Sequence, residues 1–470
     1  MESEHSTERV VDRWWLVVAA GVALFMGQLD STIVTVALPT LETEFDTTTE
    51  VIQWVVLGFV LPLIGLALPA GRWLDTVGPR SALTFSVTGF AVASCLVGMS
   101  PSIGWLITAR VVQGLFGAIM LTLVPVLATV AVSPAARGRA MAIVMTLGPL
   151  GGVSGPVLGG VAIETIGWRW VFFANLPVSL AVVAIGWVLL SRGSRLRSPD
   201  RNLILQAVLL GGAVAGVLVG LTLGVRQPAW LGVALLAVPL TLAWLRMDAS
   251  LPVVEHLSEP RLRGAHVALL AEMSAIAAVQ FVIPFYLIRD AGVSSAHTGL
   301  ILLATPLTMI LTAGLAGAAV DRGDARRVAR TGAWTVTFAC ALAAASAAYG
   351  APLAVAGSLC FLGLGAALFA GPNQNVAMSA SPAERLSTTA ATTSLARQLG
   401  VAAGPATATT VWTLSGNTDQ GLLLALSLAV PLGLLSVYAL RTPGRWSPTT
   451  TVRPDRRACK ESSRACKESK

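Results

Sequence analysis

The chain has 470 residues, 54% of them hydrophobic and 12% charged, with a mean hydropathy of +0.74. So few polar residues cannot cover a water-exposed surface of that size, which excludes a soluble globular protein and indicates a polytopic membrane protein. The net charge of +8 does not point to nucleic acid, because the arginines lie in short pieces between apolar runs and form no basic domain.

A helix crossing the hydrocarbon core needs ~20 mostly apolar residues. Fourteen such stretches follow in chain order, near 14–38, 51–71, 81–100, 104–130, 139–163, 169–191, 203–225, 229–245, 264–288, 296–320, 328–349, 351–378, 388–413 and 420–440. The fold class expected is therefore all-α, with 14 transmembrane helices and little chain left for a soluble domain. Residues 1–13 form a hydrophilic terminus that leads into a retained first span, since no small-residue cleavage site follows it. The segment 441–470 is polar and expected to be disordered. Its end, RACKESSRACKESK, repeats a seven-residue unit that carries every lysine, and is read as an artefact of the sequence.

The first span holds Asp30, and the connection after the second reads GRWLD at 71–75. In the fourth span Arg110 is followed by Gln113, Gly114 and Gly117, which places a cation, an amide and two small residues on one helix face. The fifth contains GPLGGVSGPVLGG at 148–160. In water such a run ends a helix, but in a bilayer every backbone N–H and C=O needs an internal partner, so the segment must stay helical. Gly148, Gly152, Pro156 and Gly160 then fall along one ridge with Gly151, Gly155 and Gly159 beside it, a nearly bare surface against which another helix can pack closely. A phosphate-binding loop is excluded, because its lysine has no counterpart before Lys460.

Spans seven and eight, 203–225 and 229–245, are the least polar pair. The ninth carries Glu272, with Gln280 two turns later on the same side. The connection after the tenth reads GAAVD at 317–321, an echo of 71–75, and such internal repeats are what transporter folds are built from. The twelfth holds Asn373, Gln374 and Asn375, and the thirteenth places Arg397 in line with Thr393, Gly400 and Gly404. An ionisable group in hydrocarbon costs at least ~2.5–3.5 kcal/mol, so Asp30, Arg110, Glu272 and Arg397 are each either functional or members of structural ion pairs. For the asparagine cluster, contact with a substrate and satisfaction of backbone at Gly371–Pro372 both stay open.

Arginines alternate along the connections: Arg72 and Arg80, Arg137 and Arg139, Arg192 to Arg201, Arg246 to Arg263, Arg322 to Arg330, and Arg385 share one side. The other side has only Arg169, Arg226 and Arg289. The positive-inside rule makes the first side cytoplasmic, and an even number of spans puts both termini there. No metal-ligand spacing and no nucleophile beside a base is present, so an enzyme is not expected.

Six strings together resemble the major facilitator superfamily, and within it the fourteen-span drug:proton antiporters: LDSTIVTVALP at 29–39, GRWLDTVGPR at 71–80, RVVQG at 110–114, the glycine run at 148–160, WRWVFFANLP at 168–177 and ARQLGVAAG at 396–404. The resemblance implies two six-helix bundles, 14–191 and 264–440, rocking about a central cavity, with two additional helices at 203–245. It associates Asp30 and Arg110 with proton coupling, to which Glu272 is added, and the glycine-rich fifth span with exporters and a sealed bundle interface. Gly148, Gly152, Gly155, Pro156 and Gly159 would serve that seal. Asp75, Gly78 and Arg80, echoed by Asp321 and Arg322, would latch the gate, although Thr76 and Pro79 stand where the family usually has basic residues. Gln113, Gln280, Asn373, Asn375 and Arg397 are the candidates for a substrate cavity.

The function expected is proton-coupled efflux of amphipathic small molecules, drugs or secondary metabolites, by a monomer in a bacterial cell membrane. Its partners would be the substrate, protons and lipids, with no cofactor and no metal. The alternatives are uptake of a nutrient, or export of a lipid or siderophore, by the same fold.

Overall fold

A computed structural model describes residues 12–133, 136–191, 196–225, 227–382, 385–416 and 418–441. Most of both expected terminal segments, 1–11 and 442–470, and the Asp321 side chain lie outside the described residues. Among those described there is no β-strand.

The first bundle comprises α1 (Trp14–Glu44), α2 (Thr49–Ile52), α3 (Trp54–Leu66), α4 (Pro69–Leu74), α5 (Pro79–Gly98), α6 (Ile103–Val130), α7 (Arg137–Thr165), α8 (Trp168–Phe173) and α9 (Asn175–Leu189). The second span is thus three helices end to end, broken at Gln53 and again before Pro69, whose ring and missing N–H interrupt the backbone ladder. The sixth is likewise two helices, α8 and α9, meeting at Ala174. Then come α10 (Arg201–Leu223), a 3₁₀ turn, α11 (Leu231–Leu235), α12 (Ala237–Leu245) and a short helix α13 (Leu251–Ser258). The second bundle comprises α14 (Pro260–Phe285), which ends in a π-helical turn Tyr286–Asp290, then α15 (Ser295–Leu302), α16 (Ala304–Arg322), α17 (Ala325–Ala348), α18 (Pro352–Ser379), α19 (Leu386–Leu414), α20 (Asp419–Ser427) and α21 (Ala429–Ala439).

Thirteen helical stretches among the described residues are long and apolar enough to cross a membrane. The expected span at 388–413 is the helix α19, but it is not one of the thirteen. Its eight threonines lower its hydropathy. Thr389, Thr392, Thr393, Thr407 and Thr410 donate to the carbonyls of Arg385, Thr388, Thr389, Ala403 and Ala406, so these hydroxyls are satisfied inside their own helix.

The two bundles repeat one pattern. α1 lies along α7 as α14 lies along α19; α5 pairs with α6 as α17 pairs with α18; α6 packs on α3 as α18 packs on α16. At matching places a glycine lets backbone meet backbone. A Cβ on Gly114 would strike the Phe59 carbonyl, and one on Gly363 would strike the Thr305 carbonyl.

α7 is helical through the whole glycine run. Most of that surface meets the first helix of its own bundle: Gly148 lies on Leu24, Gly151 on the Phe25 backbone, Gly155 on Thr32 and Gly159 on Ile33. Only its last turns reach the other bundle, where Gly160 lies against Ser295 and Ala296, and Gly299 against Pro156 and Val157. The same end is fastened by Glu164, which accepts from the Ala296 N–H at 3.1 Å, and by Glu50, which accepts from the Thr413 hydroxyl at 2.7 Å. At the arginine-rich ends of the second and tenth spans, nothing stands within 4 Å of where a Cβ on Gly71 or Gly317 would be. The bundles therefore close on one another at the arginine-poor end, while at the arginine-rich end Gly71 and Gly317 face open space among the described residues.

The inserted α10 belongs to the first bundle along its length. Gly65 of α3 sits on Ala207 and Gly211, and the Trp54 indole donates to Thr222 at 3.3 Å. It touches the second bundle where Thr410 donates to the Leu221 carbonyl at 2.9 Å.

Candidate functional site

Asp30 lies midway along α1 with its side chain 1% exposed, and Arg110 of α6, also 1% exposed, reaches it with Nη1 2.5 Å from Oδ2. The same Nη1 donates to Gln113 Oε1 at 2.6 Å, and Nε donates to the Val55 carbonyl at 3.0 Å. The guanidinium lies over the Phe59 ring, 4.4 Å from its centroid. Gln113 Nε2 donates to Asp30 Oδ1 at 3.0 Å and to Ser94 Oγ at 2.8 Å; Asn175 Nδ2 donates to the same two oxygens at 3.1 and 3.2 Å. One carboxylate thus receives a guanidinium and two amides from two further spans, α6 and α9, the arrangement under which a buried charge is tolerated.

Each position has a local cause. Arg110 and Gln113, three apart on α6, share a face, and Gly114 beside them draws α3 close enough for the Val55 carbonyl to be within reach. Asn175 is the first residue of α9, at the break after α8.

Sequence reasoning singled out Asp30, Arg110 and Gln113 and missed Asn175 and Ser94. Asn175 had a signal, an amide inside the apolar string VFFANLPV, but it was absorbed into a motif. Ser94 had none, since a serine in a helix ordinarily bonds its own backbone.

The other expected residues do not join this cluster. Glu272 is fully buried in α14, inside the second bundle. Asn373 is buried and ties α18 to α14 by donating to the Ala265 carbonyl at 3.1 Å, while Asn375 is exposed. Gln280 and Arg397 are half-buried, and no ion pair to Arg397 is present among the described residues. Gln113 is 0% exposed, committed to Asp30 and closed to a substrate in this conformation. Of the expected latch, Asp75 is exposed at the end of α4, Gly78 caps α5, Arg80 lies over the Trp187 ring at 4.9 Å within its own bundle, and Arg322 is exposed. Among the described residues no three His, Cys, Asp or Glu side chains are grouped to hold a metal ion.

A multi-pass helical membrane protein built from a repeated bundle, with an ion pair buried in one of them, has the architecture of a transporter rather than an enzyme. The Major Facilitator Superfamily model matches residues 20–405 and, again, 265–462. The chain belongs to that family. It is 32% identical over 321 residues to the tetracenomycin C resistance and export protein of Streptomyces glaucescens, covering 66% of this chain and 59% of that one. It is 31% identical over 335 residues to a multidrug resistance protein B homolog of Mycobacterium tuberculosis, covering 67% and 61%. The matched segment therefore spans about three-fifths of the length of these relatives. Among solved structures, a bacterial homolog of the human lysosomal transporter Spinster, inward-facing, superposes with a TM-score of 0.64 at 15% identity over 91% of this chain and 96% of that one. The E. coli xylose transporter, partially occluded and inward open, gives 0.62 at 14% identity over 92% and 100%. At those identities the likeness concerns the fold alone.

Proposed function

We propose that this chain exports amphipathic small molecules, drugs or secondary metabolites, from the cytoplasm in exchange for protons, by alternating access and without a cofactor. The observation that carries the reading is the Asp30–Arg110 pair, buried at mid-span with Gln113 and Asn175 on the same carboxylate. Holding it together costs desolvation of two charges, which a merely structural core avoids more cheaply with apolar side chains. An ion pair whose strength depends on a proton can bias the bundle between two arrangements. The relatives named for tetracenomycin C export and multidrug resistance support the direction.

The positive-inside rule orients the open, arginine-rich end toward the cytoplasm, with both termini on that side. The cavity between the bundles then takes substrate from the cytoplasm, with Gln280, Asn375 and Arg397 as its polar contacts and a monomer as the working unit. Asp75, Gly78 and Arg80 with Asp321 and Arg322 close that end in the alternate state, and Gly148, Gly152, Gly155, Pro156 and Gly159 keep α7 tight on α1 while it rocks. Uptake by the same fold is a second reading, supported by 25% identity over 376 residues to a riboflavin transporter of Clostridioides difficile, covering 79% of this chain and 82% of that one.

Expression in a host stripped of its own efflux pumps decides between them, with ethidium, tetracenomycin C and riboflavin as probes. Export lowers cellular accumulation of the first two and is lost in Asp30→Asn; raised riboflavin with no effect on the others establishes uptake instead.

A further inference from the structure

In the first bundle a buried carboxylate is met by a cation, and in the second it is not. Glu272 is 0% exposed, and among the described residues neither of its oxygens has a hydrogen-bond partner. Two groups face it: the Ser436 hydroxyl of α21, which does not close a hydrogen bond, and the Cys340 thiol of α17. His256 on α13, Arg397 on α19 and Asp30 on α1 are titratable or charged groups on other elements packed against α14, and none of them faces it.

The repeat accounts for the difference. α14, α17 and α21 are the first, third and last spans of their bundle, as α1, α5 and α9 are of theirs, so Glu272, Cys340 and Ser436 correspond by span to Asp30, Ser94 and Asn175. The glycines that touch backbone, Gly114 on Phe59 and Gly363 on Thr305, set the register of α18 against α6. In that register Arg110 falls on Leu359 and Gln113 on Leu362, which are 0% and 1% exposed. The second bundle keeps a carboxyl and replaces the guanidinium and the amide by two leucines. The close contacts of Gly151 on Phe25 and Gly400 on Leu270 set α14 against α1 in the same way. Glu272 then lies three residues before the match to Asp30, about 4.5 Å nearer the arginine-rich end.

A carboxylate with no cation and no donor in such a place costs several kcal/mol, while the neutral acid costs only what an unpaired polar group does. We infer that Glu272 is a proton-binding site in its own right, loaded in this conformation and separate from the Asp30 cluster, so that one of the driving protons travels inside the second bundle where no substrate reaches. When the arginine-poor end opens, the carboxylate takes a proton from water there, forming one O–H bond. The bundle closes around the neutral acid, and the proton passes to water at the arginine-rich end once that water reaches Glu272. This rests on the reading of the chain as a proton-driven transporter, but the site can be tested without transport.

The experiment is infrared difference spectroscopy on the full chain in lipid nanodiscs at neutral pH, following the C=O stretch of a protonated carboxyl. The wild type is expected to show a buried protonated-carboxyl band that Glu272→Gln removes and Asp30→Asn leaves in place. No such band in the wild type, or a band untouched by Glu272→Gln, overturns the inference, and the wild-type spectrum alone suffices if the variant does not fold. In proteoliposomes, Glu272→Gln is expected to lose at least tenfold of the ethidium accumulation driven by a pH gradient. Unchanged gradient-driven accumulation also overturns it. A protein that carries the band but moves no ethidium, tetracenomycin C or riboflavin refutes the proposed function and leaves the proton site standing.

Discussion

Replacing Asp30 by leucine tests the cluster at its centre. The Arg110 guanidinium would stay 1% exposed with its Val55 and Gln113 acceptors and the Phe59 face, but with no counter-charge. Breaking a buried pair from one side costs about 3–5 kcal/mol, and the acceptors that remain place this variant near 3. Gln113 and Asn175 each lose one bond but keep Ser94, which adds about 1 kcal/mol for the two together. Arg110→Leu is expected to cost about 2–4 kcal/mol, since the carboxylate keeps both amide donors. The double variant Asp30→Leu/Arg110→Leu removes both charges and should lie within about 1–2 kcal/mol of the wild type, a coupling of several kcal/mol. Unfolding of the purified protein in mixed detergent micelles, titrated with a denaturing detergent, measures the cycle. Additive single effects, or singles within ~0.5 kcal/mol of the wild type, would refute the reasoning. Gradient-driven export should be absent from all three variants; full export by the stable double variant would reduce the pair to scaffolding.

On α7, Gly151→Ala and Gly152→Ala should separate sharply, because the added Cβ meets the Phe25 carbonyl in one case and only Thr32 Cγ2 at 4.0 Å in the other. The first is expected to lower the melting temperature by several degrees and the second to leave it unchanged, read by fluorescence-detected size exclusion after heating. Gly160→Leu presses on Ser295 and Ala296 across the bundle interface. It should lengthen spin-label distances between the arginine-poor ends without loss of fold, and unchanged distances would show that this contact does not hold the gate. His256 on α13 lies outside the spans, and burial, followed by the neighbouring His266 and Arg385, pushes its pKa below the ordinary imidazole value of 6.5. The neutral ring is therefore the docked form: its contribution is complete above about pH 6.5 and is lost as pH falls toward the lowered value. Hydrogen exchange of α13 should accelerate over that window in the wild type and stay flat in His256→Phe; parallel profiles would exclude the histidine.

What was legible in the sequence followed from the bilayer as solvent. Long apolar runs, alternating arginines and a charge inside a span each report a large single-residue cost, so the spans, Asp30 and Arg110 stand out from one chain read alone. The span carried by α19 was visible as a run of small residues between polar loops, although its threonines keep its hydropathy low. The breaks at Gln53 and Ala174 were not visible, because an apolar span reads the same whether its helix is continuous or jointed. Asn175 and Ser94 were lost for a different reason. Their significance lies in meeting Asp30 from other helices, and nothing in a linear pattern records which face of one span turns toward which face of another. Glu272 shows the converse: the residue was conspicuous, but that it has no partner could be learned only from the helices around it.

The glycine run also shows how one string can serve two contacts. The glycines between Gly148 and Gly159 rest on Leu24, Phe25, Thr32 and Ile33, all on α1, whereas Pro156 and Val157 meet Gly299, and Gly160 meets Ser295 and Ala296, of the other bundle. The first set travels with α7 whichever end of the molecule is open, because α1 and α7 belong to one body. The second set must part whenever the arginine-poor end opens. A bare helix surface is therefore needed for two unlike reasons, permanent backbone contact within a bundle and a reversible contact between bundles. The reversible contact is confined to the last turns, beside Glu164 and its bond to the Ala296 N–H. Small residues suit both tasks, since they let backbones touch without side chains that would have to interdigitate and then withdraw at each cycle.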